Sequence, residues 1–110
     1  MNIEIKLQNK SYDKRKISVT IDKKKYYIEP CWGWYSVNTT DLEIRGILRK
    51  IAIDNLYWLL GRDCDFEDWK HEIDKCDSGK GIYNTPIEKP SSIFFNTKEK
   101  ETALNSFNNI

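Results

Sequence analysis

TDLEIRGILRKIAIDNLYWLLG, residues 40–61, is the stretch on which the fold turns. Thr40 with Glu43 three residues on has the form of a capping box, and Asp41 adds negative charge to the first turn. Ile44, Ile47, Leu48 and Ile51 then return at helical spacing, and Gly61 stands where a C-terminal cap belongs. The spacing predicts one helix running from this cap to Gly61. Toward its end Ala52, Ile53, Leu56, Tyr57, Trp58, Leu59 and Leu60 leave almost no polar face, and such a helix is covered on more than one side. It is expected to be the central helix. Gly46 within it costs about 1 kcal/mol relative to Ala, so another element is expected to approach closely there.

On the N-terminal side the period changes from helical to alternating. Ile3, Ile5 and Leu7 alternate with Asn2, Glu4 and Lys6, and Ile17, Val19 and Ile21 alternate with Lys16, Ser18 and Thr20. Each reads as a half-buried strand, apolar face inward and polar face wet. A polar stretch over 8–16 separates the two, and Asp22-Lys23-Lys24 makes a tight turn into a third strand, Lys25 to Glu29, which Pro30 is expected to end or bend. Cys31 to Val37 can form a fourth.

On the C-terminal side a second helix starts near Asp65, with Phe66, Trp69, Ile73 and Cys76 on one stripe, and ends by Asp77-Ser78-Gly79. A loop over 79–90, a short strand over 92–95 and a final helix from Asn96 or Thr97, with Ala103, Leu104 and Phe107 inward, complete the chain. The expected class is α+β: a small antiparallel sheet of three to four N-terminal strands packed on a long central helix, with a second helix and a C-terminal strand-helix.

At 110 residues with 39% hydrophobic and 13% aromatic content, the chain suits a single globular domain over 1–110 and not a disordered segment. Its longest apolar run is too short to span a bilayer and its start carries no apolar leader, which points to the cytoplasm and away from membranes. Cys31, Cys64 and Cys76 cannot all pair within one chain, and a reducing compartment keeps them as thiols.

Charge is laid out in blocks. Residues 1–30 carry eight Lys and Arg against four Asp and Glu, whereas residues 41–77 carry six against ten, for a net +1 overall. Segregated charge chooses partners and steers association more than it builds folds, so the expected function is binding without catalysis. Asp63, Asp65, Glu67, Asp68, Glu72 and Asp74 form the first candidate site, an acidic helix that could meet the Arg and Lys side chains with which a nuclease holds phosphates. The competing reading is an ordinary solvated face with acids near a helix N-terminus. Lys14, Arg15, Lys16, Lys24, Lys25, Tyr26, Trp32 and Trp34 form the second, a basic aromatic hairpin suited to nucleic acid. The Trp32-Gly33-Trp34-Tyr35 run suits either a core or an interface.

Chemistry finds little purchase. His71 between Cys64 and Cys76 offers three ligands at a spacing no common zinc site uses, and an EF-hand over Asp63 to Asp74 lacks its Gly and its final Glu. Gly79-Lys80-Gly81 lacks the flanks of a phosphate loop. No metal, no cofactor and no enzymatic activity are expected.

The ending SIFFNTKEKETALNSF, residues 92–107, resembles the strand, Thr-Lys-Glu, helix ending of small phage and prophage proteins, and the Lys-, Asn- and Ile-rich usage resembles chains from AT-rich mobile elements. That resemblance implies an accessory protein of the anti-CRISPR or anti-defence type: a small inhibitor that shows an acidic, DNA-mimicking surface to a host protein or nuclease complex. A nucleic-acid-binding accessory protein using the basic hairpin is the alternative.

Overall fold

The computed structural model describes residues 2–9, 15–31, 34–61, 64–77 and 96–109. The expected loop over 79–90 and strand over 92–95 lie outside them. Among the described residues four strands, β1 (Ile3–Asn9), β2 (Arg15–Ile21), β3 (Lys24–Cys31) and β4 (Trp34–Val37), form an antiparallel meander in sequential order. Three helices follow among the described residues, α1 (Leu42–Asp54), α2 (Phe66–Asp77) and α3 (Thr97–Asn105), with a π turn at Tyr57–Gly61 and a 3-10 turn at Ser106–Asn109. The class is α+β. No helix among the described residues is long and apolar enough to cross a membrane.

Alternation decides the sheet faces. Ile17, Val19 and Ile21 of β2, Tyr26 and Ile28 of β3, and Tyr35 and Val37 of β4 turn inward and are buried. The β2–β3 connection is a two-residue turn in which both Asp22 (φ 49°) and Lys23 (φ 73°) are left-handed, the hand that matches the twist of the strands. Asp22 also ties the hairpin to β1, its carboxylate accepting from the Asn2 amide at 2.9 Å and its own amide donating to the Asn2 carbonyl at 2.9 Å.

Two expectations for the sheet are corrected. Pro30 does not end β3, which runs on through Cys31 with Pro30 opposite Tyr35. The Tyr27 amide points toward the β4 side, to Asn38 Oδ1 at 2.9 Å, so the next-but-two nitrogen, that of Pro30, points toward β2, beyond the last pair Ile17↔Ile28. No ladder donor is lost there. The apolar face of β1 is not turned into the core as its alternation predicts: Ile3, Ile5 and Leu7 are 39%, 51% and 43% exposed. Among the described residues the helical layer meets the sheet mainly through α1 on β4 and through the π turn on β2 and β3, and the apolar side chains of β1 stay exposed.

The long helix predicted over 40–61 is also corrected. Its cap is Asp41, not Thr40: Asp41 is extended (φ −66°, ψ 118°) and its carboxylate accepts from the Ile44 amide at 3.1 Å, while Glu43 sits one position too early to close a capping box. The helix stops at Asp54 because Asn55 turns its side-chain amide back onto the Ile51 carbonyl, at 2.9 Å, and leaves the helical region. The Tyr57 amide then goes to Ser106 Oγ at 2.9 Å, an acceptor 49 residues away, and the buried Ser106 hydroxyl donates to the Ala103 carbonyl. The chain re-forms as a wider π turn whose carbonyl at Trp58 accepts from Arg15 of β2.

The two glycines serve differently from their sequence reading. Gly46 is exposed and a Cβ there would meet nothing within 4 Å, so no element approaches it. At Gly61 a Cβ would stand 2.3 Å from Tyr57 Cδ1. Glycine is needed there because the tyrosine ring lies across it. That ring is the joint of the helical layer: its hydroxyl donates to the Cys64 carbonyl at 2.6 Å, and it meets Trp69 and Phe107 edge to face at 5.2 and 4.6 Å.

Candidate protein-binding surfaces

α2 carries the acids on a firm base. Asp65 starts it, its carboxylate accepting from the Asp68 amide at 2.9 Å. Trp69 and Ile73, one turn apart, are buried, and Trp69 Nε1–H donates to the Ala103 carbonyl of α3 at 3.1 Å. Cys76 belongs to the helix, but its side chain lies outside the described set, and Phe66, expected on the same stripe, is 40% exposed with one ring edge on Phe107. It stands at the margin where the stripe meets solvent.

Asp65, Glu67, Asp68, Glu72 and Asp74 are all exposed, and Asp63 lies outside the described residues. They do not form one uniform face. Asp74 is joined to Lys100 of α3 at 3.0 Å and so fastens α2 to its neighbour. Asp68, Glu72 and Asp65 instead gather near Cys64: burial pushes that thiol up, and these three carboxylates push it further. The thiol also donates to the Gly61 carbonyl at 2.8 Å. A thiol held protonated in this way is a poor nucleophile and a poor metal ligand. His71 is exposed on α2, and among the described residues no group of three or more His, Cys, Asp and Glu side chains could hold a metal ion.

The second candidate set is divided by the sheet. Lys14 and Trp32 lie outside the described residues, and of Trp34 only the backbone, opposite Cys31, is described. Arg15, expected on a nucleic acid, is committed within the fold: its guanidinium donates to the Trp58 carbonyl and lies 5.7 Å from that indole. Tyr26, expected to stack on bases, is only 7% exposed because the period of two turns it into the core. Lys24 shares that side, its ammonium 6.0 Å over Tyr26 at the turn. Lys16 and Lys25 belong to the opposite, outer face, and there the alternation adds two residues, Lys6 and Tyr27, which sit either side of Ser18. Lys16 Nζ lies 4.4 Å over the Tyr27 ring. Strand parity was the signal for this grouping; nearness in sequence mixes the two faces.

A third feature had no signal in the sequence. A groove of about 220 Å³ between α1 and α3 is lined by Gly46, Arg49, Lys50, Lys98, Glu99 and Thr102 among others. On its wall Arg49 Nε meets Glu99 Oε2 at 2.9 Å, while Glu99 also completes a capping box with Asn96. Burial alone opposes both charges, but their mutual hydrogen bond and attraction win, holding the Glu99 carboxyl below and the Arg49 guanidinium above their ordinary values. The groove is therefore a contact between helices braced by the Arg49–Glu99 pair.

No family model, curated protein or solved structure matches the chain.

Proposed function

We propose that this chain is a non-catalytic inhibitor that binds a host nuclease complex through the acidic face of α2, its carboxylates taking the positions of nucleic-acid phosphates. The observation that carries this reading is the stiffness of the display. Glu67, Asp68 and Glu72 are exposed on a helix anchored from beneath by Trp69 and Ile73 and fastened sideways by Asp74 and Lys100. Acids held on a rigid element lose little conformational freedom when they meet Arg and Lys, and charge-assisted pairs are the strong ones. An inhibitor of this kind fits a phage-encoded anti-defence protein, in keeping with the resemblance of residues 92–107. The test adds the purified chain to CRISPR effector complexes and reads target-DNA cleavage. Suppression that falls at least tenfold in E67K/D68K/E72K, with unchanged circular dichroism, is the expected result. Suppression that survives the triple change removes α2 from the account, and no suppression removes the nuclease.

A second reading rests on the outer sheet face, where Lys16 lies over Tyr27 with Lys6 and Lys25 on the same side. Lysines beside an aromatic platform suit a single-stranded nucleic acid. In that case the chain alone binds short oligonucleotides, with affinity falling steeply as salt rises.

A further inference from the structure

β1 is an edge strand among the described residues, and apart from the charges of Glu4 and Lys6 it lacks the usual protections of an edge. It carries no proline, its pairing with β2 runs without a bulge from Ile3↔Ile21 to Asn9↔Arg15, and its apolar residues Ile3, Ile5 and Leu7 are exposed. The ladder parity says which backbone groups face out. Asp22 and Asn2 are joined by a backbone hydrogen bond, so the residues in step with Asn2, namely Glu4, Lys6 and Gln8, spend their amides and carbonyls on β2. Ile3, Ile5 and Leu7 point theirs outward. Their side chains extend the same face as Ile17, Val19 and Ile21, beyond the reach of the helical layer.

We infer that β1 pairs with β1 of a second copy, antiparallel about a twofold axis at Ile5, to give a continuous eight-stranded sheet. The occupant is identified by charge. With Ile5 opposite Ile5 of the second copy, Ile3 faces Leu7 and Glu4 faces Lys6, each pairing occurring twice by symmetry, and Asn2 faces Gln8. Opposite charges directly across an antiparallel pair stabilise it, and like charges oppose it. Shifting the axis to Glu4 would set Glu4 against Glu4, and shifting it to Lys6 would set Lys6 against Lys6. In all three registers outward residues stand opposite outward residues, so the backbone groups of Ile3, Ile5 and Leu7 can pair in hydrogen-bonded fashion, and it is the charges that choose the axis at Ile5. Apolar side chains of both copies then close over one another on the face the helices leave open. A twofold interface of this kind is self-complementary by construction.

Sedimentation at micromolar concentration tests this through a charge swap. The chain of 13.1 kDa is expected to sediment at twice that mass. E4K alone and K6E alone each set like charges across the seam at both ends and are expected to dimerise at least tenfold more weakly. Mixed in equal amounts they are expected to recover a heterodimer, because every opposed pair again joins opposite signs. Both positions are exposed and outside the core, so each variant keeps its fold, checked by circular dichroism. A wild-type monomer at hundreds of micromolar overturns the inference. If that monomer also protects the Ile3, Ile5 and Leu7 amides from exchange, another segment of the same chain covers the edge. A dimer indifferent to both variants places the interface elsewhere, and variants that fail to recover on mixing refute the register.

Discussion

β1 and β2 are written in nearly the same hand. One reads Ile-Glu-Ile-Lys-Leu and the other Ile-Ser-Val-Thr-Ile, the two pair along their whole length, and their apolar side chains share one face. Yet Ile17 and Val19 are fully buried while Ile5 is 51% exposed. Alternation tells which way a side chain points, and it says nothing of what covers it. The cover here, among the described residues, is α1 and the π turn, held by the Tyr57 joint, and its main contacts are with β2, β3 and β4. The same pattern therefore makes a core in one strand and a surface in its neighbour.

The largest consequence is energetic. Ile17→Ala, which opens a cavity in the core, is expected to cost about 2–5 kcal/mol in urea unfolding, while Ile5→Ala in dilute protein is expected to stay within about 0.5 kcal/mol. Equal costs would mean that β1 is covered after all, and the contrast between the strands would collapse.

A smaller effect probes the cover itself. The Arg49–Glu99 pair braces α3 against α1, with both side chains about a quarter exposed (21% and 27%). Removing it in Glu99→Gln is expected to cost about 0.5–1 kcal/mol at neutral pH. The sign of its pH dependence follows from the lowered folded value of Glu99: its contribution is present above the ordinary carboxylate range and is lost as pH falls through the folded value. Acid titration of stability should be shallower in Glu99→Gln than in the wild type. An unchanged acid limb would mean that the pair does not brace the layer.

Much of this architecture was legible because it is local. The four strands, the α2 stripe at Trp69 and Ile73, the start of α3 at Asn96 and the inward Ala103 all follow from period and capping residues within a few positions of one another. What failed was decided at a distance. The helix over 40–61 broke because Ser106, 49 residues on, takes the Tyr57 amide, a long-range choice that joins the local turn of Asn55 back onto Ile51. Arg15 left the basic set because Trp58, 43 residues on, takes its guanidinium. The acids of α2 were legible as a set, since exposure followed from the stripe, but their division between Lys100 and Cys64 was not. Tyr26 could have been assigned to the core from parity alone, had the β2–β3 turn been read one residue earlier.

Amide hydrogen exchange along β1, followed by NMR at low and high protein concentration, tests the contrast of the two strands most directly. The Glu4, Lys6 and Gln8 amides, bonded to β2, are expected to be protected at both concentrations. Those of Ile3, Ile5 and Leu7 are expected to exchange freely in dilute protein and to become protected when it is concentrated. Protection of all six in dilute protein would show that β1 is not an open edge, and free exchange of Ile3, Ile5 and Leu7 at every concentration would show that no second copy closes it.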